Sequence, residues 1–351
     1  MLSDEARAVL EDPRMAADLA GLRYVSDEEI GGISRRKRGG GFSYHAPDGR
    51  LVRDRQVLAR IRALAIPPAW TSVWISPFAD AHLAATGRDA KGRKQYRYNP
   101  AFVEVRDEAK FQHVLRFVEA LPALRRTVAD DMALRGMPRN KVLATIVCLL
   151  EATLIRIGNE HYARENGSFG LTTLRDRHVT VSGSELRFLF PGKSGKLWRL
   201  RLNNRRVARV IRACQELPGQ HLFQYRDDAG ALQRVSSNDV NDYLRAATGH
   251  DITAKDFRTW AGTVAAATAL QAIDSDSGGA NKKQVRAALG KVAALLGNTI
   301  AVCRKCYVHP EIFAAYEEGA LRLPDAEAKD GLEAVECAVY ALLKRRMRQM
   351  H

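Results

Sequence analysis

The sequence predicts an α+β protein of two domains. A small N-terminal domain contains a sheet, and a larger domain is mainly α-helical with a three-stranded β-sheet. Three observations carry this. The chain has 351 residues, more than one ordinary core organises. Near residues 99–105 the patterning changes from short alternating runs to long stretches with apolar residues at helical spacing. Within the helical part, three short β runs between residues 178 and 200 are separated by turn residues. The domains are therefore drawn as 1–100 and 101–351.

Composition narrows the class. Apolar residues make up 46% and charged ones 27%, a globular rather than disordered balance. No apolar run approaches the ~18 residues of a membrane span. The first residues, Met-Leu-Ser-Asp-Glu-Ala-Arg, lack the basic-then-apolar order of a secretory signal. A net charge of +15 acts on partners rather than on the fold, and points to a polyanion, nucleic acid before a membrane surface. Five cysteines, an odd number without framework spacing, imply a reduced, cytoplasmic compartment. Cys303 and Cys306 form a C-x-x-C. Zinc would need two further ligands where only His309 is close, and redox chemistry would need a thioredoxin-like strand before the pair.

The elements follow in order. Residues 3–20 read as a helix with Leu10, Met15 and Leu19 as its stripe. Ser34 to Gly41 reads as a basic, glycine-rich loop, either lying along a phosphate backbone or serving as a solvated linker. Phe42–Tyr44, the turn Pro47-Asp48-Gly49 and Leu51-Val52 suggest a hairpin. Val57, Leu58, Ile61 and Leu64 define a helix from Asp54 to Leu64, ended by Pro67-Pro68. Val73–Ile75 and His82–Thr86 read as strands. Asp89 to Gly92 is turn chemistry, and beyond it Arg93, Lys94, Gln95, Tyr96, Arg97 and Tyr98 mix cations with aromatics. Such a mix suits phosphates, sugars and base edges, or a polar hairpin with tyrosines as cross-strand pairs.

Helical patterns cover 101–120, 121–135 and 138–157. The last has Val142, Ile146, Leu149, Leu150 and Leu154 as its core face and Arg156 near its end. The β runs are 178–181, 185–190 and 196–200, and Lys193 sits at the second hairpin tip. Helices resume over 203–217, 237–248, 253–272, 281–296 and 329–350.

Phosphoryl transfer needs positive charge on the non-bridging oxygens, an in-line nucleophile and an acid for the leaving oxygen. The carboxylates are scattered, so no acidic metal cluster is evident. Gly192-Lys193-Ser194 is not a P-loop, because Arg187 stands where the first glycine belongs and the context is β-turn-β. Arginine is the alternative source of charge, its planar fork matching phosphate oxygens. Tyr307, with Arg304 and Lys305 just before it, is a candidate nucleophile, since nearby cations favour a phenolate. Alone, it is read more readily as an amphipathic residue packed at a helix end.

Ordered pieces decide between these. They are Leu154-Ile155-Arg156-Ile157-Gly158-Asn159-Glu160-His161-Tyr162, Phe190-Pro191-Gly192-Lys193-Ser194-Gly195-Lys196, Lys255-Asp256-Phe257-Arg258-Thr259-Trp260 and Lys305-Cys306-Tyr307-Val308-His309-Pro310. Gly170–Leu174 and Asp89–Tyr96 add to them. Together they resemble the type IB DNA topoisomerases in their compact poxvirus-like and bacterial form, over most of residues 40–320.

The resemblance implies a fold of the DNA breaking-rejoining type and a reaction of two transesterifications. Tyr307 matches the nucleophile that forms a 3′-phosphotyrosyl link and frees a 5′-hydroxyl. Arg156 and Arg258 match the arginines on the non-bridging oxygens. Lys193 matches the general acid for the leaving 5′-oxygen, with Lys255 in support and Tyr162 on a nearby phosphate. Arg93, Lys94, Gln95, Tyr96 and Tyr98 fall in a DNA-contacting stretch of the N-terminal domain. The departure is Asn298, where the family often has histidine; an amide donates a hydrogen bond but carries no charge. His161, His178 and His309 are read as structural or surface residues. The implied protein is a monomeric two-domain clamp on double-stranded DNA. It needs no metal, ATP or other cofactor and no obligate protein partner, is not bound to a membrane, and is nucleoid-associated if bacterial. A tyrosine recombinase and a non-enzymatic architectural DNA binder are the alternatives.

Overall fold

The structure is a computed structural model that describes residues 9, 12–227, 229–274 and 281–349. The start expected for the first helix, at Ser3, and the last residue of the final one, Met350, lie outside these. Contacts divide the chain into two units, Met1–His113 and Val114–His351. The architecture is α+β, as the sequence predicts.

The first unit is built on a five-stranded antiparallel sheet of order β2-β1-β3-β4-β5. Its strands are β1 (Ile33–Arg38), β2 (Gly41–His45), β3 (Thr71–Ile75), β4 (Leu83–Arg88) and β5 (Lys94–Tyr98). Helices α1 (Pro13–Leu19) and α2 (Arg55–Ala63) complete it, with Asp12 and Asp54 as N-caps. Ile33, Ile61, Val73, Ile75 and Ala85 form a core between α2 and the sheet. The stretch expected as a basic loop is thus an interior strand, β1, turning at Gly39 with φ +55°. Its charge is partly structural. Arg35 donates to the carbonyls of Ile66, Pro67 and Trp70, which a loop leaves without ladder partners. The expected hairpin is present but short: the turn closes through Ala46 N–H to the Arg50 carbonyl and Val52 N–H to the Tyr44 carbonyl, both at 2.9 Å, around the His45–Leu51 bridge, while β2 pairs along its length with β1.

Helix α3 (Pro100–Ala133) begins in the first unit and ends in the second. Two helices were expected here, but the helix runs through Pro122. A proline inside a helix costs about 3 kcal/mol. The flanking Leu121 and Leu124 are both fully buried, and burying each contributes roughly 2 kcal/mol.

The second unit continues with α4 (Arg139–Thr153), α5 (Glu160–Asn166) and the antiparallel sheet β6 (Val179–Ser182), β7 (Glu185–Pro191), β8 (Leu197–Asn203). After α6 (Arg205–Gln215) and a small hairpin of β9 (Gln224–Arg226) and β10 (Leu232–Arg234), helices follow. They are α7 (Ser237–Thr248), α8 (Ala254–Asp274), α9 (Lys282–Leu296), α10 (Ile300–Cys306), α11 (Pro310–Glu317) and α12 (Ala334–Gln349). Helix α8 is central: it packs on α4, α7, α9, α11 and α12. Its sequence is apolar on all sides, with Ala266, Ala267 and Leu270 fully buried, as a core helix requires. Among the described residues no single helix is long and apolar enough to cross a membrane.

Candidate active site

Tyr307 owes its place to two helix ends. Gly297, at φ +62°, terminates α9, and α10 leaves at 91° to it, capped by Thr299. Tyr307 ends α10, donating its main-chain N–H to the Cys303 carbonyl at 3.0 Å. Arg304 and Lys305, its neighbours in sequence, occupy the last turn of α10, where cations complement the helix dipole. The Arg304 guanidinium lies 4.8 Å from the Phe313 ring centre.

The charges beside the phenol come from elsewhere. Arg258, on α8, is only 3% exposed, and its guanidinium carbon lies 5.2 Å from the centre of the Tyr307 ring. It donates through Nη1 to the Leu154 carbonyl and through Nη2 to the Leu296 carbonyl, the latter at 2.6 Å. Leu154 is the residue after α4 and has φ +54°, the left-handed region a leucine rarely adopts. That turn ends the helix at Thr153, four residues before the end the apolar pattern suggests, and presents the carbonyl to Arg258.

Arg156 consequently stands in an extended segment rather than at a helix end. The carbonyls of Arg156 and Ile157 accept from the N–H groups of Leu171 and Thr172, in the single turn Leu171–Thr173. Gly170 makes this approach possible, since a Cβ there would lie 2.5 Å from the Arg156 carbonyl oxygen. The Arg156 side chain donates to Asn298 Oδ1. Burial first, then the like charge of Arg258, pull the Arg156 pKa down, and the Tyr307 side chain opposes this. Burial does the same to Arg258, again opposed by Tyr307. Both guanidiniums stay protonated at neutral pH. Their mutual repulsion in a dry site is relieved by an anion.

Two donors complete the cluster. Arg258 Nε and Asn298 Nδ2 are buried, and among the described residues neither has a hydrogen-bond partner. Cys303 is also buried here; burial pushes its thiol pKa up, so it stays an unreactive neutral thiol. Among the described residues no group of three or more His, Cys, Asp or Glu side chains is arranged to hold a metal ion.

The structure therefore brings Tyr307, Arg156, Arg258 and Asn298 together. Lys193 is exposed in the turn between β7 and β8. The base of that hairpin is tied to the cluster by Trp198. A Cβ on Gly192 would lie 2.5 Å from the indole, and one on Gly297, next to Asn298, 2.7 Å from it. Lys255 is exposed in the first turn of α8 and Tyr162 exposed on α5. In the first unit, Arg93 pairs with Asp89 at 2.7 Å and Lys94 with Asp27 at 3.0 Å, while Gln95 donates to Asp89 at 3.0 Å. Each of these three thus has a partner within its own unit. Tyr96 and Tyr98 are exposed and stack at 5.9 Å along one face of β5 rather than across strands. His161 is an exposed partner of Glu165, His178 is buried, and His309 caps α11.

Sequence reasoning passed over Gly262, Trp198 and the Leu154 and Leu296 carbonyls, and gave Gly170 no part beyond its place in a motif. A glycine inside a helix pattern is a signal of close approach, and Gly262 stood in view. Main-chain acceptors leave no such sign.

One buried and one half-buried guanidinium with a donor amide around a phenol can hold a phosphate and present an oxygen to it, the arrangement that defines an enzyme of phosphoryl transfer. Known proteins narrow that class to one family. Residues 94–329 match the family described as eukaryotic DNA topoisomerase I, catalytic core, and residues 41–89 match the bacterial DNA topoisomerase IB, N-terminal domain. DNA topoisomerase 1B of Acanthamoeba polyphaga mimivirus is 32% identical over 295 residues, 82% of this chain and 88% of that protein. DNA topoisomerase 1B of vaccinia virus (strain Copenhagen) is 28% identical over 111 residues, 32% of this chain and 35% of that protein. DNA topoisomerase 1 of rabbit fibroma virus is 22% identical over 236 residues, 65% and 70% of the two chains. The chain belongs to the type IB DNA topoisomerases, isomerases whose substrate is DNA.

Proposed function

We propose that this enzyme relaxes supercoiled duplex DNA by nicking one strand through Tyr307, allowing rotation, and resealing it. The observation that supports this best is the phenol of Tyr307 beside the buried Arg258 and half-buried Arg156 guanidiniums, with Arg258 Nε and Asn298 Nδ2 buried and unpartnered among the described residues. A phosphodiester supplies the acceptors these donors lack.

In this reading the Tyr307 oxygen attacks phosphorus, an Oη–P bond forms and the P–O5′ bond breaks. Arg156, Arg258 and the Asn298 amide hold the non-bridging oxygens as charge builds on them. The leaving 5′-oxygen takes its proton from Lys193, carried to the DNA on its hairpin tip. Lys255 supports the same phosphate, and Tyr162 a neighbouring one. Arg93, Lys94, Gln95, Tyr96 and Tyr98 contact the duplex from the first unit. The phosphotyrosyl ester preserves the bond energy, so resealing is the reverse attack by the 5′-hydroxyl and needs no ATP. Arginine charge on the phosphate takes the part that a metal ion plays in other phosphoryl transfers. The enzyme acts as a monomeric two-domain clamp.

The test is supercoiled plasmid incubated with protein and EDTA, without ATP. A ladder of relaxed topoisomers, lost in Tyr307→Phe, is the expected result. Bound but unrelaxed plasmid sinks the proposal, and recombined products would favour a tyrosine recombinase.

A further inference from the structure

Helix α12 lies beyond the stretch that matches the topoisomerase I catalytic core, which ends at residue 329. It nevertheless supplies the most heavily bonded carboxylate in the neighbourhood of Arg258. Glu336 is 8% exposed. It accepts from both Arg125 Nη1 and Nη2, at 2.8 and 3.1 Å, from Trp260 Nε1 at 2.9 Å and from its own segment's Glu333 N–H at 2.9 Å. Arg125, on α3, also pairs with Glu151 on α4 at 2.6 Å.

The partners of this hub lead to the site along two paths. Trp260 is two residues from Arg258 on α8. Glu151 is three residues from Leu154, whose carbonyl holds Arg258, and five from Arg156. At its far end α12 grips α11, the helix that follows Tyr307: Arg346 pairs with Glu311 at 2.6 Å and Glu318 at 2.8 Å. One helix outside the matched core thus bonds to α8 directly, to α4 through Arg125, and to α11, the helix after Tyr307.

We propose that Glu336 is a positioning residue for Arg258, fixing α8 through Trp260, and the end of α4 through Arg125 and Glu151, so that the Leu154 carbonyl holds that guanidinium where a phosphate needs it. It touches neither DNA nor Tyr307. The inference rests on the role given above to Arg258. A buried carboxylate with four hydrogen bonds tolerates little movement, and removing its charge frees Arg125 to pull toward Glu151 alone.

The experiment is single-turnover cleavage of a DNA duplex at saturating enzyme, alongside equilibrium DNA binding, for Glu336→Gln, Arg258→Ala and the double variant. Glu336→Gln is expected to slow cleavage ~10-fold, since small misplacements of reacting groups cost that much or more, with DNA affinity within about twofold of the parent. The double variant is expected to cleave no more slowly than Arg258→Ala alone, because Glu336 acts through Arg258. Losses that multiply in the double variant overturn the proposal, as does an unchanged rate in Glu336→Gln. A parental rate in Arg258→Ala overturns both this inference and the reading of Arg258 beneath it. Should Glu336→Gln fail to fold, Trp260→Phe removes one hydrogen bond, keeps an aromatic ring at the cost of a small cavity, and enters the same cycle. It is expected to slow cleavage a few-fold, again without adding to Arg258→Ala.

Discussion

Gly262 and the main chain of Tyr307 are in such close contact that a Cβ on Gly262 would stand 2.5 Å from the Tyr307 carbonyl oxygen and 3.3 Å from its Cβ. Gly262 lies one turn beyond Arg258 on α8. The phenol and the guanidinium are therefore set against each other by backbone packing and not by side-chain reach alone.

Gly262→Ala tests that contact. A better helix former at this position contributes about 1 kcal/mol. Overpacking against a carbonyl costs about 1–3 kcal/mol, so stability is expected to fall slightly. The rate is expected to fall further, by ~10²-fold, if Tyr307 moves by the order of an ångström. Thermal unfolding and single-turnover cleavage separate the two effects, and a parental cleavage rate would refute the idea.

Asn298 accepts from Arg156 through Oδ1 and leaves Nδ2 as a buried donor. Asn298→Asp keeps the acceptor and removes the donor. It is expected to retain thermal stability, because Arg156 gains an ion pair, while cleavage slows by ~10²-fold. Asn298→His, which restores a donor, is expected to stay within about tenfold of the parent. Equal rates for Asp and Asn at this position would remove the amide from the site.

Trp198 stands between Gly192, beside Lys193, and Gly297, beside Asn298. Trp198→Ala is expected to cost about 3–5 kcal/mol through the cavity it leaves. Trp198→Phe preserves most of the packing and is expected to slow cleavage more than it lowers the unfolding temperature. If cleavage in Trp198→Phe merely tracks stability, the indole does not link the hairpin to the site.

His178 supports the sheet that carries Lys193. It packs on Phe169 at 4.5 Å, and its Nδ1 accepts from the Arg175 N–H. Burial, aided by Arg177 and Arg175, holds its pKa down to about 4, from an ordinary 6.5. The unfolded chain therefore binds a proton that the folded one refuses between these values. The associated stability is complete above pH 6.5 and is lost as pH falls toward 4, roughly 3 kcal/mol in all. Urea midpoints measured over that window are expected to fall more steeply in the parent than in His178→Gln. Parallel curves would assign the acid sensitivity elsewhere.

Much of this site was legible because its side chains sit in short ordered motifs, Lys255–Trp260 and Lys305–Pro310 among them. What escaped was carried by the backbone. Ile155 and Ile157 continue the apolar spacing of α4, so nothing marked Leu154 as the left-handed residue that ends it. Ser34–Arg38 read as a loop because its charges hid a strand whose neighbours, β2 and β3, are found only by tertiary pairing. The division expected between residues 120 and 121 is absent, because burial of Leu121 and Leu124 carries one helix on through Pro122. The bonds of Lys94 to Asp27 and of Gln95 to Asp89 were not legible either, because they come from tertiary and turn contacts.

The grip on Arg258 has a consequence for heredity. Its two acceptors are the carbonyl oxygens of Leu154 and Leu296, atoms that every amino acid supplies. Codon changes at those positions alter what the side chains pack against but cannot delete the acceptors. The orientation of this guanidinium is thereby insulated from drift at the residues that hold it, provided the helix ends stay where they are. Genetic fragility moves instead to the glycines, whose missing atoms no substitution can leave missing.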